Sequence, residues 1–277
     1  MAKRWSIEED EFLRKNYGKV KISIISENLG RSTDCIKTRA SKFKLKGNSS
    51  LACSTYEFNH NYFDNPTIYN SYWAGFIAAD GCLYYGKNAN KLGVLKILLS
   101  KQDKEILEQF SKDCNYNGKI LEFSRILNNK VHKYCYIHIC NLSYWADNLK
   151  KYWNIVPRKT RILEPPLITD IQQQLAYIIG YIDGDGSIYK ESQPSGKSRL
   201  CLGISGTKAI LEWISHILYK FENQEKYKLR TPLKINKHIN NNLTHSIVYT
   251  NQRAIRLLNM LKAVPITFRL KRKWLIS

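Results

Sequence analysis

Two Asp-Gly pairs are the strongest candidates for chemistry in this chain, because each closes a copy of the same short pattern. The pattern occupies residues 72–81 and returns 105 residues later at residues 177–186. The positions identical in both copies are Tyr72/Tyr177, Gly75/Gly180, Ile77/Ile182, Asp80/Asp185, Gly81/Gly186 and Tyr84/Tyr189. A repeat of this length predicts two similar halves packed on one another.

Small residues in each copy indicate how the two copies meet. Gly75 and Ala79 are four residues apart, as are Gly180 and Gly184, so each copy presents minimal side chains on one helix face. Such a stripe lets two helix backbones approach closely. Each helix is predicted to end at Asp-Gly, with the glycine suited to a left-handed C-terminal cap.

The aspartates are unfavourable where this pattern places them. Asp80 and Asp185 would lie at helix C-termini, where the macrodipole disfavours negative charge, and parallel pairing would bring the two carboxylates together. A hard divalent cation such as Mg²⁺ would remove the conflict, because it prefers carboxylate and carbonyl oxygens. The alternative is that each Asp-Gly is only a turn signal, but the repetition and the small-residue stripe favour a metal site.

Both copies resemble the LAGLIDADG motif, over residues 73–81 and 178–186. The chain, from about residue 56 onward, resembles a two-motif, single-chain LAGLIDADG homing endonuclease; it departs from the consensus at Ala78, where an acidic residue is common. The resemblance implies an α+β fold of two pseudo-symmetric αββαββα halves packed through the paired motif helices. It also implies a staggered, Mg²⁺-dependent double-strand cut in DNA, with Mn²⁺ able to substitute. Asp80 and Asp185 would be catalytic and would hold the metal with the carbonyls of Ala79 and Gly184.

A basic segment closes each half, and in this family a lysine from such a segment lies near each active site. Lys159 matches in the first half, and Lys271 is preferred over Lys273 in the second. These lysines would stabilise charge on the scissile phosphate or position the water. Plain phosphate anchoring is the alternative role.

Alternating apolar residues follow each motif and predict strands with one buried face. They are Leu95, Ile97 and Leu99, then Cys135, Ile137 and Ile139, in the first half, and Leu200, Leu202 and Ile204, then His245, Ile247 and Tyr249, in the second. Helices are predicted between them at 103–114 and 208–221, so the halves would span 72–168 and 169–277. The opposite strand faces are predicted to contact DNA through Lys96, Tyr134, Tyr136, Arg199, Lys234 and Lys237.

Residues 1–46 predict a separate bundle of three helices. Ser6 and Glu9 form a capping box for the first helix, and Ser32 caps the third. The outward residues of the third helix are predicted to contact DNA: Thr33, Lys37, Thr38, Arg39 and Lys42. The segment is similar to Myb-like helix-turn-helix modules; a protein-interaction bundle is the alternative. Residues 47–71 would be a linker and a lead-in to the first half.

Charge and composition point to a polyanionic partner. Forty-four Lys and Arg against 23 Asp and Glu give a net charge of +21, which favours nucleic acid, with double-stranded DNA first. Seven cysteines without a Cys-x-x-Cys pair favour neither a zinc ribbon nor a disulfide framework. With no signal-peptide pattern or apolar run, the chain is expected in the cytosol or an organelle matrix, away from membranes, and as a monomer. The alternative functions are a group I intron RNA maturase, with intron RNA as partner, and a non-catalytic transcriptional regulator.

Overall fold

The fold is described from a computed structural model of the 277-residue chain. The structure describes residues 4–47, 56–85, 92–140, 142–194, 196–222, 234–237, 243–266 and 268–275. The helices are α1 Ile7–Asn16, α2 Ile22–Leu29, α3 Thr33–Lys42, α4 Ile68–Asp80, α5 Lys104–Asp113, α6 Ser143–Trp153, α7 Ile171–Asp185, α8 Lys208–Phe221, α9 Asn251–Lys262 and α10 Lys271–Trp274. The strands are β1 Gly81–Tyr85, β2 Leu92–Ser100, β3 Leu121–Leu127, β4 Lys130–Cys140, β5 Gly186–Ser192, β6 Ser198–Gly206, β7 Lys234–Lys237 and β8 Leu243–Thr250.

Two halves of the same topology make up the chain from α4 to α9. Each half has one four-stranded antiparallel sheet, in the order β1-β2-β4-β3 or β5-β6-β8-β7. Each runs helix, two strands, helix, two strands, helix, so the predicted αββαββα halves are confirmed. The predicted alternation holds where it was clearest: Leu95, Ile97 and Ile137 are fully buried.

The motif helices α4 and α7 pack directly on one another. A Cβ added to Gly75 would lie 1.9 Å from the Tyr177 carbonyl oxygen, and one added to Gly180 would lie 1.9 Å from the Tyr72 carbonyl oxygen. The two backbones therefore touch in a reciprocal manner, as expected for a pseudo-twofold axis, and only glycine fits at either position.

The predicted left-handed caps at the ends of these helices are wrong. Gly81 and Gly186 both have extended backbones, with φ of −76° and −93°, because the chain passes straight from each helix into a strand. Glycine is needed there for space: an added Cβ would lie 2.7 Å from the Ile77 carbonyl oxygen or 2.6 Å from that of Ile182. Each aspartate is thus fixed at a helix-to-strand junction.

One hydrophobic core extends through both halves and includes residues of the lead-in. It combines the buried faces of the two sheets with the motif helices and the flanking helices. Phe58 and Phe63 join it through edge-to-face contacts with Trp145 at 5.0 Å between ring centroids. The lead-in therefore packs on the first half, as predicted; the predicted linker falls mostly on residues 48–55, outside the described residues.

The N-terminal helices form a bundle with a core of their own, centred on Leu13, Ile25, Ile36 and Ala40. The predicted capping box is present, with the Glu9 backbone N–H donating to Ser6 Oγ at 3.2 Å. The bundle contacts the lead-in through an ion pair from Lys21 to Glu57 at 3.3 Å. Among the described helices, none is long and apolar enough to cross a membrane.

Candidate active site

Asp80 and Asp185 are brought together by the packing of the two motif helices. They are the last residues of α4 and α7, and both are exposed. A Cβ added to Gly184 would lie 2.3 Å from the Ala79 Cβ and 3.4 Å from Asp80 Oδ2. The Asp80 carboxylate therefore lies against the other helix, one residue before Asp185, as the sequence predicted.

The surroundings of the two carboxylates oppose their ionisation. Loss of solvent around the Asp80 carboxyl group, and then the charge of Asp185, raise the pKa of Asp80 to about 6. Loss of solvent likewise raises the pKa of Asp185, while the positive charges of Lys159 and Lys273 lower it. Keeping both carboxylates ionised is therefore unfavourable unless a cation compensates them.

Lys159 lies where the sequence predicted a first-half lysine. It opens a short 3₁₀ turn, Lys159–Arg161, between α6 and α7, and it is only 8% exposed. Its Nζ donates to the Gly81 carbonyl and lies 3.5 Å from the Ala79 carbonyl oxygen. Burial lowers its pKa, against the charges of Asp185 and Asp80. The ammonium group is therefore held beside the end of α4 by backbone oxygens.

Lys273, and not Lys271, is the second-half counterpart. Lys273 is 7% exposed, and its Nζ lies 2.9 Å from the Gly184 carbonyl oxygen and 2.7 Å from that of Gly186. These are the positions that Ala79 and Gly81 hold in the first copy. The side chain of Lys271 is 74% exposed and pairs with Glu105 at 3.6 Å. The preference for Lys271 was wrong because α10 turns its first residue outward and its third inward.

The donors at the helix ends suit a hard divalent cation. Mg²⁺ is usually bound by one or two protein carboxylates and completed by water and substrate phosphates. Asp80 and Asp185 supply two such carboxylates, and the carbonyls of Ala79 and Gly184 lie beside them with a lone pair left after their lysine contacts. Within the described residues there is no cluster of three or more His, Cys, Asp or Glu suited to a metal.

The sheet faces opposite the core carry most of the strand residues predicted to contact DNA. Lys96, Tyr134 and Tyr136 are partly exposed there, and the Lys96 ammonium lies 4.8 Å from the centroid of the Tyr136 ring. Arg199 also lies on this face of its sheet, ion-paired to Glu191 on the neighbouring strand. Lys234 and Lys237 are on β7, and their side chains lie outside the described residues.

Two side chains on the first sheet extend this surface and were missed from the sequence. The Tyr84 hydroxyl lies 2.6 Å from His138 Nε2, and the two rings stack. His138 is directly opposite Lys96 in the strand register. The identity of Tyr84 with Tyr189 in the repeat was the signal that could have indicated the position.

On the N-terminal bundle, all five predicted contact residues are at least partly exposed. Lys37, Thr38 and Lys42 are exposed and Thr33 is partly so. Arg39 is partly exposed, as is Thr33, but its guanidinium is ion-paired within the bundle. Its guanidinium turns back to Asp10 on α1, with Nε 2.8 Å from Asp10 Oδ1, and lies over the Phe43 ring. Arg39 therefore ties α3 to α1.

A buried carboxylate in the second motif also escaped the sequence reasoning. Asp183 is 2% exposed and accepts hydrogen bonds from the Tyr72 hydroxyl at 2.8 Å, the Leu270 N–H at 3.0 Å and Trp274 Nε1 at 2.6 Å. Ala78 is at the matching position of the first motif. That difference between the copies was the available signal.

Comparisons with known proteins agree with this architecture. Residues 172–261 match the family described as LAGLIDADG-like domain. Among solved structures, the homing endonuclease I-WcaI bound to its DNA recognition sequence is similar at 14% identity, with a TM-score of 0.51 over 84% of this chain and 96% of that one. The LAGLIDADG homing endonuclease I-GzeII in complex with its DNA target is similar at 16% identity, with a TM-score of 0.46 over 70% and 84%. No curated protein matches.

The likeness to I-WcaI and the domain match together define the class of fold. The chain has the two-half architecture of LAGLIDADG proteins, and its second half carries the LAGLIDADG-like domain. The Myb-like character of the N-terminal bundle stays a prediction.

Proposed function

We propose that this chain is a site-specific homing endonuclease that makes a Mg²⁺-dependent, staggered double-strand cut in DNA. Both sites lie on one chain, so a monomer suffices and the target need not be palindromic. Its net charge of +21 suits a polyanionic substrate. We further propose that it works in the cytosol or in an organelle matrix.

The observation that carries this proposal is the cluster of opposed charges at the ends of α4 and α7. Two carboxylates with raised pKa values lie at helix ends that disfavour negative charge, and a nearly buried lysine contacts the backbone at each of these ends. The close approach of the helices depends on Gly75 and Gly180 and does not call for two carboxylates at the helix ends. Perturbed groups clustered in this way are typical of a catalytic site.

The roles of the residues follow from their places. Asp80 and Asp185 would hold the cation, and each would serve one strand. A divalent cation bound there supplies positive charge to the attacking and leaving oxygens of the phosphodiester. Lys159 and Lys273, fixed by backbone oxygens, place an ammonium group at the end of each motif helix, where it would stabilise charge on the phosphate or orient the water.

DNA would lie along the open faces of the two sheets. Lys96, Tyr136 and Arg199 offer the mixture of cation and aromatic groups that contacts phosphates and base edges. The accessible face of α3, through Lys37 and Lys42, would add contacts outside the central site. I-WcaI and I-GzeII, which share this architecture, were solved with their DNA targets.

The test is strand-resolved cleavage of a supercoiled plasmid that carries a duplex selected by the protein from a randomised pool. The unsubstituted protein should linearise it with Mg²⁺ or Mn²⁺ and leave it intact with EDTA. Asp80→Asn and Asp185→Asn keep side-chain volume and remove charge, so each should bind the duplex and lose cleavage of one strand, or of both if the sites share a metal. Asp147→Asn, at an exposed position of α6, is the matched control and should cut normally.

Two other results would replace the proposal. Specific binding without any cut in Mg²⁺ or Mn²⁺ would favour the transcriptional regulator. Selective binding of a structured group I intron RNA, with promotion of its splicing, would favour the maturase. Cleavage at the unsubstituted rate by both asparagine variants would remove the assignment of the aspartates.

A further inference from the structure

The segment that delivers Lys273 is held by a buried carboxylate that has no counterpart in the first half. We call residues 270–274 the lysine segment. Asp183 bonds to it twice, through the Leu270 backbone N–H and the Trp274 indole N–H. These two residues flank Lys273 on either side. Asp183 therefore holds both ends of the short stretch from which the lysine side chain projects.

The same carboxylate links this segment to both motif helices. Asp183 belongs to α7, and its third donor, the Tyr72 hydroxyl, belongs to α4. Three donors satisfy the buried charge, which burial would otherwise leave uncompensated. A shift of the lysine segment would remove two of the three donors at once, so the arrangement resists movement of Lys273.

Helix packing does not account for Asp183. Its counterpart in the first motif is Ala78, which is buried in the same helix pair and has no polar group. The first motif thus has no buried carboxylate at the position equivalent to Asp183. Two of its three hydrogen bonds go to the lysine segment, and the third goes to Tyr72 on α4.

The first half holds its lysine differently. The chain around Lys159 runs between α6 and α7 and is fastened by backbone-directed bonds, from the Leu167 N–H to the Tyr152 carbonyl at 2.8 Å and from the Thr207 hydroxyl to the Leu163 carbonyl at 2.6 Å. In the lysine segment a second carboxylate assists Asp183: Asp103 accepts hydrogen bonds from both Nε and Nη2 of Arg272, at 2.6 and 2.7 Å.

We propose that Asp183 is a positioning residue that holds Lys273 at the Asp185 end of the site and so controls cleavage of one DNA strand separately from the other. The expected effect on cleavage rests on the proposed function, whereas the positioning of Lys273 by Asp183 does not. Loss of the Asp183 carboxylate should loosen the lysine segment, so that Lys273 leaves its backbone carbonyl partners more often, while Lys159 stays in place.

The positioning of Lys273 by Asp183 is tested without metal or DNA. Lysines of the intact protein are acetylated to a limited extent, and the modified positions are measured by mass spectrometry. In Asp183→Asn, modification of Lys273 should rise roughly tenfold, as expected when a charge-assisted hydrogen bond is lost, with that of Lys159 unchanged. Trp274→Phe removes one donor and keeps the packing, so it should give a smaller rise at Lys273. Asp113→Asn is the matched control: Asp113 also accepts a tryptophan N–H, from Trp73 at 2.7 Å, away from both lysines.

Strand-resolved cleavage on the selected duplex tests the consequence. Asp183→Asn should bind with unchanged affinity and accumulate nicked circles, with the nick always in the same strand. Equal slowing of both strands, or equal exposure of both lysines, would mean general loosening and would overturn the proposal. Unchanged modification of Lys273 would also overturn it. If the unsubstituted protein cuts no duplex, the proposed function fails, and the acetylation result still decides whether Asp183 positions Lys273.

Discussion

Exchanging a methyl group between the two motif helices tests how closely they pack near the aspartates. Gly184→Ala puts a Cβ 2.3 Å from the Ala79 Cβ, about 1 Å inside ordinary contact, while its other nearest neighbours lie at 3.4 Å. Overpacking of this kind costs about 1–3 kcal/mol, and alanine in place of glycine returns about 1 kcal/mol of helix propensity. We expect Gly184→Ala to lower the free energy of unfolding by about 1 kcal/mol.

The compensating change is Ala79→Gly, which removes the opposing methyl group. Alone it should cost about 1 kcal/mol through lower helix propensity. In the double variant the clash is gone and the two propensity effects cancel, so stability should return to that of the unsubstituted protein. The coupling between the two positions is then about 2 kcal/mol, well above the additivity error of about 0.5 kcal/mol.

Gly75→Ala is the matched comparison, because its Cβ would lie 1.9 Å from a backbone oxygen that no substitution can remove. It should cost about 2 kcal/mol net, or about 4–8 °C in melting temperature for a domain of this size. Urea and thermal unfolding followed by circular dichroism measure all four variants. Additive losses in the double variant, near 2 kcal/mol, would show that Ala79 and Gly184 do not meet across the helix pair.

Three further predictions follow from the ionisable groups. Because the folded-state pKa of Asp80 is raised to about 6, above its unfolded value near 4, the metal-free protein should gain stability as pH falls through 6. Asp80→Asn should therefore melt higher than the unsubstituted protein at pH 7, with the difference vanishing near pH 4. Lys37→Gln with Lys42→Gln should reduce the slope of log binding constant against log salt by up to about 2, as filter binding would show, whereas Lys15→Gln, on α1, should not. Arg39→Gln should increase hydrogen exchange in α1 and α3 because the tie to Asp10 is lost; a changed salt slope with unchanged exchange would return Arg39 to the DNA surface.

The features that could be predicted from the sequence are those fixed by local patterns. Period-two alternation gave the strands, because one buried face constrains every second residue; the Leu95 and Ile97 positions are examples. The small-residue stripes gave the helix pair, because only glycine permits the 1.9 Å approach at Gly75 and Gly180. Asp80 and Asp185 came together for the same reason, since their place follows from the stripe on their own helix.

The features that escaped prediction depend on contacts between distant segments. Arg39 has the spacing of an outward residue on α3 and is partly exposed, yet its guanidinium pairs with Asp10 on another helix. The glycine after each motif fits a helix cap by type, but the following strand sets its backbone angles instead. Nothing in either local pattern encodes the partner that decides the outcome.

The two lysines show where a sequence repeat stops being informative. The aspartates are 105 residues apart, and so are the carbonyls that the lysines contact, but Lys159 and Lys273 are 114 apart. A sequence repeat predicts the equivalent residue in the other half only where the same contacts hold both copies. The segment of the first lysine is held by bonds to backbone carbonyls, and that of the second by the Asp183 carboxylate, where the first motif has Ala78. The ammonium groups of Lys159 and Lys273 occupy equivalent positions, but different contacts hold the segments that carry them. Each set of contacts can therefore be removed separately. For this reason a single substitution at Asp183, which leaves Asp80 and Asp185 unchanged, is expected to separate the two strand cuts.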